Sequence, residues 1–387
     1  IYTSEIVGSS DVYKRQQHDV IVIGGGILGL AQAWTASRRG FRVLLLERES
    51  RAMGASVRNF GMIWPVGQNA GRPHEIALKS RAIWLELQQL GVVEVETCGS
   101  IHLAYREDEW NVLQEFTALE SHPVKLLSRE EVLERHPLVN PDGLLGGMYS
   151  DTELRVDPRT ASLKIGQWLD SQENVTCQYN TPVTQVDFPH VVTATGKKYT
   201  ADHIVICSGS DLTTLVGERF ATSGLRPCKL QMLKSKPQQG LPRNLPHLAS
   251  GLTLRHYTSF LPCQSLGALK ERIQKESPEL DQFGIHVMAS VFPSGDVILG
   301  DSHEYGDDIS PFDKSEIDDL IIRELRKLIR LSDWQMTERW HGIYTKHPNQ
   351  LVFEETFDGG VHAFVGPGGA GMTMSFGLAD DAWNRWI

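Results

Sequence analysis

The chain has 387 residues, enough for two domains, a formal net charge of −10 at pH 7 and five cysteines. The acidic balance excludes a nucleic-acid partner that depends on neutralised phosphates, and no apolar stretch is long enough to span a membrane. The cysteines are scattered without CxxC or Cys/His ligand spacing, which predicts a reduced, cytoplasmic protein with no metal site.

Residues 1–17 show neither the apolar core of a signal peptide nor a clear periodicity. We expect a cloning or sequencing artefact or a disordered tail, either of them outside the fold. An N-terminal arm that pairs with another segment is the alternative. The fold itself is expected to begin at His18 or Asp19.

The first predicted element is a buried parallel strand over residues 20–23, an apolar run rich in β-branched side chains. Gly24, Gly26 and Gly29 follow this strand in a GxGxxG pattern. Glycines in this pattern provide a tight turn, close approach of the backbone to a pyrophosphate, and close packing of helix on strand.

A helix is predicted over 27–39, followed by a second strand over 42–46 that ends in Glu47. Open amides and the dipole at the start of the helix favour a phosphate. Glu47 lies where a carboxylate accepts the hydroxyls of an adenosine ribose. The whole series predicts a dinucleotide-binding unit, and a glycine turn in an ordinary βαβ unit is the alternative.

The polar segment 48–62 carries Gly54, Ser56 and Gly61. Small residues at these points would let the backbone and a hydroxyl approach the phosphates and the ring of a dinucleotide. A plain surface loop is the alternative.

Helices and short strands are predicted along the rest of the chain from periodicity and turn residues. The predicted helices are 73–90, 107–119, 128–136, 157–169 and 313–330. The predicted strands are 100–105, 175–179, 183–188, 191–194, 203–207, 228–233, 252–257, 285–291, 297–299 and 361–365. Four histidines are expected on the surface or in loops, namely His74, His122, His136 and His190.

Two further glycine turns follow predicted strands. Ser208 and Gly209 come after the strand 203–207, where they could border the same nucleotide. The cluster 366–371 opens the final helix, whose N-terminus could stabilise negative charge on a reduced flavin. A nicotinamide enzyme usually carries one nucleotide fingerprint, so this second cluster favours FAD; a glycine turn before a surface helix is the alternative.

The chain resembles the D-amino-acid-oxidase-like FAD oxidoreductases, the family of glycine oxidase and sarcosine oxidase. The resemblance covers nearly everything from Asp19 to Ile387 and lies in six ordered segments: DVIVIGGGILGL, LLLERE, GASVRNFGM, IVICSGSD, WHGIYTKHPN and FVGPGGAGMTMSFGLA. The segments SVRNFGMIWP and LTLRHYTSF look most like a subgroup linked to phosphonate breakdown. That subgroup is similar to enzymes that oxidise aminoethylphosphonate and its N-methylated forms.

The resemblance implies an α/β fold in which a Rossmann-type FAD-binding domain is interwoven with an α+β substrate domain built on an antiparallel sheet. We expect the FAD-binding domain to comprise 18–80, 150–224 and 335–387. The substrate domain is expected to comprise 81–149 and 225–334.

The resemblance also implies which residues hold a non-covalent FAD. Gly24, Gly26 and Gly29 would face the pyrophosphate, and Glu47 the adenosine ribose. The full set is Gly24, Gly26, Ile27, Gly29, Glu47, Arg48, Ser56, Asn59, Gly61, Met62, Val183, Ser208, Gly209, Gly369, Gly371, Met372 and Thr373.

Three positions depart from the family pattern. Gly342 replaces the cysteine to which sarcosine oxidases attach FAD, so covalent attachment is not expected. Tyr344 replaces the arginine with which several amino-acid oxidases bind the substrate carboxylate, which argues against an α-amino acid. Ile298 stands near the position of an oxygen-activating lysine, which weakens the case for direct use of oxygen.

Substrate recognition is therefore expected from Arg255, His256 and Tyr257 on the predicted strand 252–257. Arg255 and Tyr257 would share a face of that strand, and an arginine fork matches phosphonate or carboxylate oxygens. A solvated arginine is the alternative. The candidate catalytic residues are Tyr344, Arg255, Tyr257 and His256, with Lys346 and His303 as secondary candidates.

These features predict FAD-dependent oxidation of a small primary or N-methylated amine that carries an anion, with aminoethylphosphonates first. The resemblance implies hydride transfer to the flavin N5, hydrolysis of the imine, and reoxidation by O2 with release of H2O2. One alternative is a 2-hydroxy-acid or amine dehydrogenase that passes electrons to a quinone or carrier protein. A non-catalytic FAD- or NAD-binding sensor is the other.

Overall fold

The computed structural model describes residues 17–387. The expectation for the leader concerns residues 1–16, which lie outside the described residues, together with Gln17. Gln17 opens the first strand, one residue before the predicted start of the fold.

The strands of the described residues fall into three sheets. In chain order they are β1 Gln17–Ile23, β2 Val43–Leu46, β3 Met62–Ile63, β4 Val95–Glu96, β5 Ser100–Ala104, β6 Val124–Ser128, β7 Gly146–Ser150, β8 Leu154–Val156, β9 Val175–Gln178, β10 Val183–Asp187, β11 His190–Thr193, β12 Lys198–Ile206, β13 Arg226–Ser235, β14 His247–Ala249, β15 Met288–Val291, β16 Val297–Gly300, β17 Glu304–Tyr305, β18 Met336–Lys346, β19 Phe353–Phe357 and β20 Val361–Val365.

The helices connect these strands and cover the sheets. In chain order they are α1 Ile27–Arg38, α2 Arg72–Gln89, α3 Glu107–Ala118, α4 Arg129–Arg135, α5 Pro158–Asp170, α6 Gly217–Thr222, α7 Gly251–Leu254, α8 Leu266–Glu276, α9 Pro278–Gln282, α10 Ser315–Leu328 and α11 Gly371–Trp386. Ser128 caps α4 in a capping box with Glu131.

The first sheet is built around β1, which pairs in parallel with β2 and β12. Strand β20 continues the parallel arrangement beyond β12, and β19 pairs with β20. Val22 pairs with Leu45 on one side and Val205 on the other. Helices cover both faces of a parallel sheet, which explains why the β1 residues Val20, Ile21 and Val22 are entirely buried.

Helices α1, α2 and α11 share a hydrophobic core with this sheet. Trp84 of α2 meets the ring of Phe376 in α11 edge to face, with centroids 5.4 Å apart. Trp34 of α1 lies against the same Phe376 ring at 6.3 Å. This packing places the N-termini of α1 and α11 near the carboxyl edge of the sheet, where the glycine turns occur.

The second sheet has the strand order β17-β13-β16-β15-β14-β5-β7-β6, with β18 also paired to β13. Most pairs are antiparallel, but β14 and β5 run parallel. The sheet is thus mainly antiparallel, as expected, and contains one parallel pair. The third sheet, β3-β8-β4, is small.

Strand β18 connects the two predicted domains. It belongs to the segment 335–387, which we expect in the FAD-binding domain, yet it pairs over its whole length with β13 of the second sheet. The remaining domain boundaries stay a prediction.

The segment 252–257 is not the predicted strand. Its first residues belong to helix α7, and a turn follows in which His256 N–H donates to the Thr253 carbonyl. Alternating apolar residues such as Leu252 and Leu254 suit a buried helical turn as well as a strand, so the pattern alone cannot separate them. Gly251, the first residue of α7, packs closely on α3, because a Cβ there would lie only 2.1 Å from Glu109 Cδ.

Three of the four histidines expected on the surface or in loops are buried. His122 and His136 do lie in loops, whereas His74 belongs to helix α2. The ring centroids of His74 and His122 are 4.2 Å apart. Only His190, at the start of β11, is exposed as predicted.

Among residues 17–387, no helix combines the length and the hydropathy needed to cross a membrane.

Candidate active site

A cavity of about 1030 Å³ runs from the carboxyl edge of the first sheet to the second sheet. Its volume lies at the upper end of the range usual for ligand sites, roughly 300–1,000 Å³. One end is lined by the glycine turns after β1, β12 and β20, and the other by residues of the second sheet and the turn after α7.

The turn after β1 forms the floor of the first end. Gly24, Gly26 and Ile27 line the cavity. A Cβ on Gly24 would lie 2.3 Å from the Cys207 carbonyl oxygen, and the residue has φ of +108°, so glycine is required by the fold. At Gly26 a Cβ would approach only the Ser56 hydroxyl, at 3.1 Å. The space over Gly26 is therefore open toward the cavity.

Glu47 is held by the glycine turn. One carboxylate oxygen accepts a hydrogen bond from Gly25 N–H at 2.6 Å, and the other accepts one from Glu49 N–H at 2.9 Å. Each oxygen has a second lone pair, so the carboxylate can still accept a ribose hydroxyl. Its position at the end of β2, beside the cavity, agrees with the role that the sequence indicates.

The loop before β3 closes over the start of α1. Ser56 accepts a hydrogen bond from Ile27 N–H at 2.9 Å, which satisfies one of the open amides of that helix. Asn59 donates to the carbonyls of Ala55 and Ser56, and its own carbonyl oxygen accepts from Gly61 N–H. Asn59 therefore orders the loop and thereby positions Ser56.

The loop before α11 forms the opposite wall. Gly369, Gly371, Met372 and Thr373 all line the cavity. The Thr373 hydroxyl accepts from Trp64 N–H at 2.9 Å, and the Met372 carbonyl accepts from the Trp84 ring N–H at 2.9 Å. These bonds fix the start of α11 against the cavity.

Most other residues of the predicted cofactor set also line the cavity: Arg48, Met62, Val183, Ser208 and Gly209. Gly29 and Gly61 do not. A Cβ on Gly29 would lie 1.9 Å from the Gly24 carbonyl oxygen, and one on Gly61 would lie 2.0 Å from the Val156 carbonyl oxygen. Close contact between backbone segments accounts for both glycines, and a contact of either with the cofactor stays a prediction.

This end of the cavity fits FAD. The open space over Gly26 leaves room for a pyrophosphate beside the α1 N-terminus, and Glu47 lines the cavity at the end of β2, where it could accept from a ribose hydroxyl. The residues that would hold the cofactor come from both ends of the sequence.

At the second end, His256, Tyr257 and Tyr344 line the cavity, but Arg255 does not. The Arg255 guanidinium pairs with the carboxylate of Asp281 and donates to the Ile285 carbonyl at 2.8 Å. The predicted anion-binding role of Arg255 relied on strand alternation, which does not apply to a helical turn. In this structure Arg255 ties α7 to the segment before β15.

Sequence reasoning missed His286 and Asp301. Each donates its backbone N–H to the carbonyl of the other, at 3.3 and 2.9 Å, so the β15–β16 pairing continues through them. Paired residues present their side chains on one face, and His303, two residues beyond Asp301, shares that face. The only sequence signal was the position of these residues next to two predicted strands.

His256, His286 and His303 form a compact cluster at this end of the cavity. Their ring centroids lie 4.0, 4.4 and 5.0 Å apart. His286 Nε2 lies 3.3 Å from Asp301 Oδ1, but not in hydrogen-bond geometry. Among residues 17–387, both atoms lack a hydrogen-bond partner, and so does His286 Nδ1.

Burial governs the charge of this cluster. It holds the pKa of His256 and His286 well below the ordinary imidazole value and lowers the pKa of His303 to about 4. It also raises the pKa of Asp301 well above its usual range. The three imidazoles are therefore uncharged at neutral pH.

Other polar groups surround the cluster. Burial raises the pKa of Tyr344 well above that of free tyrosine, so its hydroxyl stays protonated and can donate a hydrogen bond. Arg58 and Lys346 are basic side chains that line the cavity, and the Arg58 guanidinium donates to the His341 carbonyl at 3.3 Å. The charge of Lys346 contributes to lowering the pKa of His256 and His303, which places it close to them.

The sequence model of the FAD dependent oxidoreductases matches residues 19–383. The chain belongs to this family. FAD is the cofactor of the family, in agreement with the end of the cavity that the glycine turns line.

Named relatives match over part of the chain. The glycine oxidase of Geobacillus kaustophilus is 27% identical over 210 residues, which are 50% of this chain and 55% of that protein. One chain of the opine oxidase of Rhizobium meliloti is 30% identical over 151 residues, which are 35% of this chain and 40% of that protein. The chain thus spans about half or less of the length of these two relatives.

Solved structures of the family share the fold over nearly the whole chain. The crystal structure of glycine oxidase from Geobacillus kaustophilus has a TM-score of 0.74 and 18% identity, covering 96% of this chain and 94% of that one. L-α-glycerophosphate oxidase from Mycoplasma pneumoniae with FAD bound has a TM-score of 0.71 and 18% identity, covering 96% and 95%.

The three positions that depart from the family pattern differ in whether they line the cavity. Gly342 lines the cavity, and a Cβ there would lie 3.2 Å from the Arg58 carbonyl oxygen. Ile298 lies outside the lining and is buried in a cluster with Leu230, Met232 and Tyr344. Its position therefore offers no charged group to the cavity.

Proposed function

We propose that this protein oxidises a small primary or N-methylated amine that carries an anionic group, with aminoethylphosphonates as the first candidates. The observation that carries the proposal is one cavity that has the glycine turns at one end and Tyr344 toward the other, and that Arg58 and Lys346 also line. The FAD, when bound, accepts the hydride equivalent from the carbon next to the amine and passes the electrons on to oxygen with release of H2O2.

The side chains at the second end would bind and orient such a substrate. Arg58 and Lys346 supply positive charge for the anion, and the protonated Tyr344 hydroxyl donates a hydrogen bond. Met62, Trp64 and Met288 add an apolar wall that excludes water and favours the neutral form of the amine. The imine product is released to water and hydrolyses there.

The names of the relatives support a substrate that carries an amine and an anionic group. Glycine oxidase and opine oxidase are named for amine substrates, and the glycerophosphate oxidase of Mycoplasma pneumoniae is named for a substrate that carries a phosphate. The absence of a basic side chain at Tyr344, where several amino-acid oxidases have arginine, favours a phosphonate over an α-carboxylate.

The experiment is anaerobic mixing of the purified holoenzyme with a panel of compounds while the flavin absorbance is followed. The panel contains aminoethylphosphonate, its N-methyl form, glycine, sarcosine, glycerol 3-phosphate and uncharged amines of equal size. We expect the anionic amines to bleach the flavin faster than the uncharged ones. Bleaching by glycerol 3-phosphate alone, or by none of the amines, would contradict the proposal.

One observation favours a second candidate, a dehydrogenase that passes electrons to a quinone or carrier protein. Ile298 stands near the position of the oxygen-activating lysine and is buried away from the cavity. Exposure of the substrate-reduced enzyme to air separates the two candidates. Rapid return of the flavin colour with formation of H2O2 indicates an oxidase, whereas persistent bleaching indicates a dehydrogenase. Cytoplasmic localisation remains part of the proposal.

A further inference from the structure

The histidine cluster combines three ring nitrogens with one carboxylate at the second end of the cavity. Ligand atoms of His256, His286 and His303 all lie within 4.8 Å of one another. Two nitrogens bound to one tetrahedral Zn²⁺ at about 2.1 Å are about 3.4 Å apart. The rings would therefore have to rotate and come closer by roughly 1 Å for all three to bind one ion.

The second observation is the orientation of His303. Its Nδ1 lies 3.2 Å from the Gly284 carbonyl oxygen, which can only accept, so Nδ1 carries the proton. The Nε2 lone pair is then free, and it lies 3.9 Å from Asp301 Oδ2. A backbone carbonyl that fixes the tautomer of a histidine in this way is the usual partner of a metal-binding imidazole.

The third observation is the set of polar atoms without partners. Both nitrogens of His286 and Oδ1 of Asp301 have no hydrogen-bond partner among residues 17–387. Buried polar groups are normally paired, because an unpaired one costs about 1–3 kcal/mol. A cation bound to these atoms would satisfy several of them together.

From this arrangement we propose that His256, His286, His303 and Asp301 bind a divalent first-row transition metal ion such as Zn²⁺, Mn²⁺ or Fe²⁺. Imidazole nitrogen and carboxylate oxygen are the donors that suit these ions. The proposal departs from the expectation of no metal site, which relied on local spacing. The ligands come from the turn after α7 and from the β15–β16 pair, so no short motif connects them.

Asp301 favours a metal ion over direct binding of the substrate anion by the histidines. A bound anion would leave Asp301 Oδ1 without a hydrogen-bond partner, and it would be repelled whenever that carboxyl group is ionised. A metal ion resolves this conflict, because it binds Asp301 and leaves a coordination position for an oxygen of the substrate anion. This role of the ion rests on the proposed function, whereas metal binding itself does not.

The first test measures metal retention by the holoenzyme. After incubation with Zn²⁺ and dialysis against metal-free buffer, we expect about one Zn²⁺ per chain. The His286→Gln and Asp301→Asn variants should bind Zn²⁺ about 100-fold more weakly or worse. The matched control is His347→Gln, because His347 lines the cavity but lies outside the cluster. This control should retain Zn²⁺ as the wild type does.

Two outcomes of this test would overturn the proposal. One is wild-type enzyme that retains no Zn²⁺, Mn²⁺ or Fe²⁺. The other is equal retention by the wild type and both cluster variants. If His286→Gln does not fold, as judged by lost flavin content, Asp301→Asn carries the test, since it changes charge at constant size.

The second test measures the binding of methylphosphonate, which is followed by the change that it causes in the flavin spectrum. We expect the spectral change to need the metal and to be lost after treatment with a chelator. Equal binding of methylphosphonate with and without metal would overturn the anion-binding role of the ion, whereas the Zn²⁺ retention test alone decides whether the metal site exists. Zn²⁺ retention without flavin bleaching by any amine would leave the metal site standing and reject the proposed function.

Discussion

A Cβ atom on Gly29 would lie 1.9 Å from the carbonyl oxygen of Gly24, whereas one on Gly26 would meet only the Ser56 hydroxyl, at 3.1 Å. The glycines of the motif thus have different roles. Gly24 and Gly29 allow the turn and the helix to pack closely, and Gly26 leaves space at the cavity.

We therefore expect Gly26→Val to give soluble protein without FAD. Its side chain would extend into the space of the pyrophosphate while the protein backbone has room for it. The measurement is the ratio of flavin to protein absorbance after purification. The comparison is Gly29→Ala, which should reduce the yield of folded protein because its Cβ would clash with the backbone. Full flavin content in Gly26→Val would contradict the assignment.

The second prediction concerns Glu47. Its carboxylate accepts from Gly25 N–H at 2.6 Å and is expected to accept from the ribose. Hydrogen bonds to charged groups contribute about 1.5–3 kcal/mol, so Glu47→Gln should weaken FAD binding about 10- to 100-fold. Titration of apoprotein with FAD, followed by flavin fluorescence, measures this. An unchanged dissociation constant would mean that Glu47 acts only within the turn.

The third prediction is that acid precipitation releases the FAD. Gly342 lines the cavity where sarcosine oxidases have their attachment cysteine. Cys207 also lines the cavity, but burial raises the pKa of its thiol, so the reactive thiolate is disfavoured. Flavin absorbance should appear in the supernatant. Yellow colour that stays with the precipitate would show a covalent bond.

The cofactor end of the cavity was largely predictable from sequence. Gly24, Gly26 and Glu47 lie in one short βαβ unit, so their chemistry can be read from local spacing. Thr373 is far away in sequence, but it follows a glycine cluster at a helix start. The sequence does not distinguish Gly29, which packs on the backbone, from Gly26, which faces the cavity.

The substrate end was less predictable because its residues meet only through tertiary pairing. His286 and Asp301 become neighbours when β15 pairs with β16, and His256 arrives from a turn that the pattern predicted as a strand. By residue type alone, Arg255 was suited to bind the anionic group of the substrate. Its partner Asp281 lies 26 residues away and could not be identified from spacing.

The fourth prediction concerns acid sensitivity. His102 in β5 is entirely buried, and burial lowers its pKa to about 3. An unfolded histidine has a pKa of about 6.5, so between these values the unfolded chain binds a proton that the folded chain does not. Stability is therefore lost as the pH falls below about 6.5, by up to about 1.4 kcal/mol per pH unit.

A variant without this imidazole measures its share. Neither ring nitrogen of His102 has a hydrogen-bond partner among residues 17–387, so His102→Met should be tolerated. Between pH 7 and pH 5, the free energy of unfolding in urea should fall by about 2 kcal/mol less in the variant than in the wild type. Equal losses would indicate that His102 is protonated in the folded state.

The last prediction compares Arg255 with Lys346. Arg255 lies outside the cavity lining and pairs with Asp281 and the Ile285 carbonyl, whereas Lys346 lines the cavity. Arg255→Ala should therefore lower the free energy of unfolding by about 1–3 kcal/mol, because it leaves the carbonyl of the buried Ile285 without its donor and removes the ion pair with the exposed Asp281. It should not change the ratio of kcat/KM for N-methyl-aminoethylphosphonate to that for an uncharged amine of equal size.

Lys346→Met provides the matched contrast, because it removes a positive charge at the cavity. The Lys346 side chain is exposed, so its loss should have little effect on the stability of the fold. This variant should lower kcat/KM for the phosphonate by about 5- to 30-fold, equivalent to about 1–2 kcal/mol, and leave the uncharged amine unaffected. Urea unfolding and steady-state kinetics on both substrates provide the measurements. A selective loss of the phosphonate in Arg255→Ala, with none in Lys346→Met, would return the anion-binding role to Arg255. Such a result would require the Asp281 pair to open when the substrate binds.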